Sequence, residues 1–371
     1  MKKVFYATLA LGALILASCQ KENSVELPKV DSPVFTAHID GGTKTALNAE
    51  GTKSEWNEDH IWVLNGNPSN TSWKKEYATT STSGDAATFT EVNSEVSLAS
   101  GPVVAICPAS AGNYAKWNTD SPEVVASLSL PATQNAVAGS YDPAAHIAVA
   151  YSENTSLSFK NAVSLLKFTV GSDNVSEVCI YAHTSTAVLS GNFDVTVKGE
   201  NAGTISTSTG NNYVKATGTF EKGKTYYIAC LPTTFTKGFT VEVVSNGVRG
   251  RSKTTTKGYT LKRNTILDLG TIETMTVYLT PGAWTSAGAV LSVYCWELGD
   301  YWDDFSDADG DGLYEAKIPI GVTRCSYIRS NPEHPHEWGD NKDWTKYENI
   351  DLTQHNYLIV TNDWQYTPSR Y

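Results

Sequence analysis

Short runs of Val, Ile, Thr, Tyr and Phe recur along this chain between turn-forming residues, and no segment keeps an apolar stripe at helical spacing with caps. The clearest runs are VFTAHID (34–40), HIWVLNG (60–66), PVVAICP (102–108), LLKFTVG (165–171), EVCIYA (177–182), YYIACLP (226–232) and FTVEVVS (239–245). Asp40-Gly41-Gly42, Asn246-Gly247 and Lys257-Gly258 are turn signals between them. Regularly spaced short strands predict an all-β chain built from β-sandwiches. In LSVYCWEL, Leu291, Val293 and Cys295 alternate with Ser292, Tyr294 and Trp296, so one set is predicted to face a core and the other to lie on the opposite face.

The first residues predict export. Lys2 and Lys3 precede an apolar run from Val4 to Leu16 that is too short to span a bilayer comfortably. It ends in Leu16-Ala17-Ser18-Cys19, which resembles the lipobox of bacterial lipoproteins. That resemblance implies a signal peptide over 1–18 and acylation of Cys19, with several acyl chains giving stable attachment to the outer membrane. Residues 19–32 are polar and read as a flexible tether. Gln20-Lys21-Glu22 is similar to a short charged export tag, which implies a position on the cell surface.

The formal charge of −11 opposes phosphate backbones and excludes nucleic acid as a partner. No phosphate loop, nucleophile elbow or cysteine-ligated metal motif occurs. The sequence therefore predicts a binding protein without cofactors rather than an enzyme. Cys107, Cys179 and Cys230 lie within apolar runs and read as small core residues, while Cys295 and Cys325 fall in one module and are candidates for pairing.

Aromatic usage divides the chain. Six of ten tryptophans and nine of nineteen tyrosines follow residue 275, and this predicts a boundary at 273–276. The preceding region is long for one sandwich, so it is divided near 171, giving units 33–170, 171–273 and 274–371. Thr43-Lys44-Thr45-Ala46-Leu47, Trp56, Asp59-His60-Ile61-Trp62-Val63, Leu130-Pro131-Ala132-Thr133-Gln134 and SFKNAVSLLKF (158–168) occur in an order that resembles fimbrillin-like surface proteins over about 33–273. The resemblance implies two transthyretin-like β-sandwiches, followed here by a smaller sandwich module, and other fimbrial subunits as partners. Read as residues, Trp56, Ile61 and Val63 are core positions, and SFKNAVSLLKF is a strand buried on both sides at its centre. The chain departs from the polymerising members in having no arginine before Arg249, so arginine-specific maturation near the start is excluded, which implies an anchor, a tip or a stand-alone surface protein rather than a shaft subunit.

The last module resembles the starch-binding modules of bacterial amylases. Tyr278, Tyr294, Trp296, Trp302, DADGDGLYEAKIP (307–319), Arg329-Ser330-Asn331-Pro332 and Trp338…Trp344 carry the likeness. It implies a glycan or polysaccharide ligand. The candidate glycan-binding residues are Tyr294, Trp296, Trp302, Trp338, Trp344, Arg329 and Asn331, with Trp338 and Trp344 in a loop that braces against Arg329. Asp307, Asp309 and Asp311 have the spacing of a calcium loop, but Ile318 stands where its last ligand would be, so a tight turn is the primary reading. Three functions fit: an adhesin or pilus component with a glycan-binding end, a surface protein that captures starch-like polysaccharide for an outer-membrane importer, or a purely structural pilus component whose last module caps the assembly.

Replacing Cys19 with Ala removes the predicted site of acylation. The variant is expected in the soluble fraction; retention with outer membrane would refute the lipid anchor.

Overall fold

The computed structural model of the chain describes residues 32–39, 46–47, 54–66, 73–93, 97–110, 112–117, 122–362 and 365–371. The signal peptide, Cys19, the tether up to 31, Thr43–Thr45 and Trp364 lie outside these residues. The described chain is all-β, with two short 3-10 segments at Pro143–Ala145 and Gly282–Gly288.

Seven strands close into a barrel in the order Phe35–Ile39, Ser156–Asn161, Ala148–Ser152, Val103–Cys107, His60–Asn65, Lys74–Ser83 and Ala86–Glu91. The first of the predicted sandwiches is thus a closed sheet. Phe35–Ile39 joins its ends, pairing parallel with Ser156–Asn161 and antiparallel with Ala86–Glu91. Closure removes the exposed edges of the sheet. Trp56, Ile61 and Val63 fill the interior, with Trp56 edge-on to Phe89 and Phe159 at 5.2 Å.

Strand Val103–Cys107 is buried at every position. Val103, Ala105 and Cys107 point into the barrel, while Val104 and Ile106 join a second core outside it. That second core is covered by the sheet Tyr114–Trp117, Val124–Leu130, Ser190–Lys198 and Ile205–Asn211. A third core lies between a five-stranded sheet, which includes Val175–Ala182 and Phe239–Ser245, and a three-stranded sheet of Thr225–Cys230, Ser164–Val170 and Ile266–Ile272. Pairings cross residue 171 repeatedly: Val124–Leu130 with Ser190–Lys198, Thr133–Asn135 with Tyr213–Thr217, and Ser164–Val170 with both its partners.

SFKNAVSLLKF is two strands, not one. Ser156–Asn161 belongs to the barrel and Ser164–Val170 to the three-stranded sheet. The apolar pair Ala162-Val163 between them is the passage from one core to the next and is buried there. Gln134, from the LPATQ motif, locks the same region. Its buried amide donates to the Ala229 carbonyl at 2.7 Å and accepts from the Ala229 N–H at 2.9 Å.

After residue 273 the strands pair with one another in two four-stranded sheets. One contains Tyr314–Pro319, Thr274–Thr280, Tyr357–Asn362 and Gln365–Ser369. The other contains Tyr301–Asp304, Val290–Cys295, Arg324–Ser330 and Asp343–Asp351. Val277, Leu279, Val293, Cys295, Ile318, Cys325, Tyr327 and Leu358 fill the space between them, in one apolar cluster continuous with Leu166, Val178 and Val243. Polar contacts reinforce this junction. Ser172 Oγ donates to the Ile320 carbonyl at 2.5 Å, Asn246 Nδ2 to Gly321 at 2.8 Å and Thr276 Oγ1 to Arg251 at 3.0 Å. Cys295 and Cys325 are buried free thiols on neighbouring strands, as are Cys107, Cys179 and Cys230 elsewhere.

His146 stacks on Tyr141 with ring centroids 4.7 Å apart and is buried. Burial disfavours its charged form and pulls its pKa down to about 3. Between that value and the ordinary one of about 6.5, the unfolded chain binds a proton that the folded chain does not. Stability is therefore complete above pH 6.5 and falls as pH drops towards 3. His146→Phe keeps the ring stack and removes the titration. Its unfolding free energy is expected to fall less steeply between pH 6 and 4, by up to ~1.4 kcal/mol per pH unit, in denaturant titrations. Equal slopes for the two proteins would show that His146 is not the acid-sensitive group.

Candidate functional site

The alternation along Val290–Cys295 is seen at its end, while Ser292, on the same side as Tyr294, is itself buried and bonded to Asp304. Leu291, Val293 and Cys295 are buried in the sandwich core, whereas Tyr294 is half-buried and Trp296 exposed on the other side. Pairing puts Trp302, on Tyr301–Asp304, directly opposite Tyr294, and their rings lie 4.6 Å apart. Tyr294 also lies 6.0 Å from Trp296 and meets Trp338 edge-on at 5.0 Å. Trp338 is 5.2 Å from Trp302. Four of the seven sequence-predicted residues therefore form one aromatic cluster on the outer face of the sheet.

An open hollow of about 480 Å3 lies over this cluster, lined by Tyr294, Trp296, Ser326, Trp338, Lys346, Glu348 and Asn349. Trp302 is not among the lining residues. It stands beside Tyr294 on the neighbouring strand, with His336 stacked on it at 5.1 Å. Hydrogen bonds hold the rings in place. The Tyr294 hydroxyl donates to Asp300 at 2.7 Å, and this bond, with burial second, raises the phenol pKa. His336 Nε2 lies 2.7 Å from Asp304, which also accepts from Ser292 Oγ at 2.9 Å. Lys346 Nζ sits 5.0 Å from the Trp338 ring centroid and bonds Asp343 at 2.9 Å; the Asp343 bond is the main cause of its raised pKa.

The other three predicted residues lie elsewhere. Trp344 is on strand Asp343–Asp351 rather than in a loop, and the Arg329 guanidinium lies 4.9 Å from its ring centroid. Arg329 also donates to the Trp284 carbonyl at 3.0 Å and to Ser286 Oγ at 2.9 Å, tying down the segment Gly282–Gly288. Asn331 closes the loop that carries Trp338. Its amide donates to the Asn341 carbonyl at 3.0 Å, and its backbone N–H donates to Lys342 at 2.7 Å. Arg329 thus braces Trp344 but not Trp338. Sequence reasoning missed Ser326, Lys346, Glu348 and Asn349. Lys346 and Glu348 alternate on their strand, a signal that was available once residues 343–351 are read as a strand.

Asp307, Asp309 and Asp311 place carboxylate oxygens within 4.8 Å of one another. Asp307 accepts from the N–H groups of Gly310, Asp311 and Gly312 at 2.8, 3.1 and 3.1 Å. Ile318 is fully buried in the core. The segment is a turn braced by its own aspartate, leading into Tyr314–Pro319.

No protein-family model matches the chain, and no curated protein matches it. Among solved structures it is similar to a candidate cell adhesion protein of Bacteroides ovatus, with 13% identity over 65% of this chain and 92% of the other, at a TM-score of 0.39. A candidate cell adhesion protein of Bacteroides fragilis gives 11% identity over 83% and 99%, at 0.33. A fimbrial protein of Bacteroides ovatus gives 12% over 65% and 48%, at 0.29. At these scores neither a function nor a ligand passes to this chain from them.

Trp296 is 36% exposed, whereas Trp284 is fully buried. Trp296→Ala is expected to leave unfolding free energy within about 0.5 kcal/mol, the range for surface changes. Trp284→Ala is expected to cost about 3–5 kcal/mol. Equal destabilisation by both would show that Trp296 is a core residue.

Proposed function

We propose that this protein is a lipid-anchored cell-surface binding protein, a fimbrillin-like adhesin or pilus-associated anchor or tip component, whose C-terminal sandwich binds a glycan. The observation that carries the reading is the hollow at Tyr294, Trp296 and Trp338. Sugar rings present flat C–H faces that stack on aromatic rings. Ser326, Lys346, Glu348 and Asn349 supply hydroxyl, ammonium, carboxylate and amide groups around those rings for hydrogen bonds to sugar hydroxyls. Such a mixture of apolar faces and a few polar groups is the usual makeup of a ligand site.

The same hollow argues for binding rather than cleavage. Glycoside hydrolysis commonly uses two carboxyl groups across the scissile bond. Among the described lining residues, Glu348 is the single carboxylate. Capture of starch-like polysaccharide for an importer would use the same face and is favoured by the likeness of residues 276–371 to starch-binding modules.

The mature chain, tested on affinity gels, is expected to be retarded by an α-glucan or a related polysaccharide. An open aromatic site should give a dissociation constant of roughly 10⁻³ to 10⁻⁵ M. Trp296→Ala and Trp338→Ala should each weaken binding by about 1–3 kcal/mol while the protein stays folded. A folded wild-type protein that no polysaccharide retards would remove the glycan reading.

A further inference from the structure

A second recess lies far along the chain from the aromatic face. It is a cleft of about 260 Å3 between the outer surface of the barrel and strand Ser190–Lys198. Tyr151 and Val197 are half-buried in its lining, over Val149 and Val195, which belong to the second core. Lys160 and Arg263 also line it, and among the described lining residues there is no carboxylate.

Arg263 is the informative group. Its Nε donates to the Asn161 carbonyl, and its Nη1 donates to the Gly203 carbonyl at 3.2 Å. A guanidinium has five N–H donors, and among the described residues these bonds account for two of them. Carbonyl oxygens satisfy donors without neutralising the charge. Arg249, by contrast, pairs with both Glu177 and Glu242. Burial alone acts on Arg263, drawing its pKa down, with no acidic neighbour among the described residues to offset it. A partly buried cation without a counter-ion is disfavoured, and a carboxylate brought into the cleft would supply one in the bidentate geometry that arginine favours.

We infer that this cleft binds a compact carboxylate, with the acid group on the remaining donors of Arg263 and the body of the ligand against Tyr151 and Val197. The volume is below the roughly 300–1,000 Å3 of pockets for drug-sized ligands, so the ligand is a single sugar acid or a short organic acid rather than a polymer. The site is separate from the aromatic hollow and does not depend on it.

Calorimetric titration of the mature chain with glucuronate, butyrate, glucose and inorganic phosphate tests this. Saturable binding of glucuronate or butyrate is expected, without binding of glucose; the tighter of the two acids identifies a sugar or an aliphatic ligand. Arg263→Gln should weaken that binding at least tenfold. Because Arg263 also ties Asn161 to Gly203, a second variant is needed: Ala202→Trp, on an exposed turn at the cleft, should weaken it by occlusion. No binding of either acid, equal binding of glucose, binding of phosphate alone, or undiminished binding in Ala202→Trp would each overturn the proposal. Trp296→Ala should leave the binding unchanged.

Discussion

Burial of both faces of single strands is the constraint on which this structure depends. Val103–Cys107 gives Val103, Ala105 and Cys107 to the barrel and Val104 and Ile106 to the next core. Ser164–Val170 does the same, with Leu165 in one core and Leu166, Phe168 and Val170 in the next. A strand buried on two sides carries a near-continuous apolar run and ties together the layers on either side of it. Each core thus borrows one wall from its neighbour. The buried Gln134 amide serves the same end, completing the backbone bonding of Ala229 across 95 residues of sequence.

The C-terminal sandwich inherits this arrangement. Thr274–Thr280 is buried from Met275 to Leu279 because its own sandwich covers one face and the preceding sheets approach the other. Gly250 shows how close the approach is: a Cβ there would stand 2.8 Å from the Met275 sulfur. The aromatic face, on the far sheet of the sandwich, is therefore presented in a fixed relation to the five-stranded sheet. A ligand bound at Tyr294 and Trp296 would be held by a continuous stack of packed layers, and not by a module swinging on a linker.

Much of this was legible in the sequence, and the limits have physical causes. VVAIC and EVCIYA announce themselves as strands because local composition suffices. SFKNAVSLLKF does not reveal its break, because Ala162-Val163 is as apolar as its flanks; only the two distant sets of partners divide it. The crossings at residue 171 have the same origin, since pairing partners are chosen by long-range contact. At the site, period-two alternation was enough to expose Tyr294 and Trp296. Trp338 and Trp344, six residues apart, could not be separated in the same way. One is brought over Tyr294 by the loop that Asn331 closes, and the other is fixed under Arg329 by strand pairing with Arg324–Ser330.

The aromatic residues of the last module sort by what the fold gains from them. Trp284 is fully buried and stacked on Tyr347 at 5.4 Å, so its area contributes to the core. Trp344 lends a face to Arg329, which in turn holds the backbone at Trp284 and Ser286. Trp296 and Trp338 differ, keeping more than a third of their surface in water. Hydrophobic burial cannot explain that exposure, because area left in water contributes nothing to it. The hydrogen bonds of Tyr294 to Asp300 and of Asn331 to Asn341 fix the surroundings of these rings without burying them. On the function proposed above, the third of each ring left in water is the surface on which a ligand would stack.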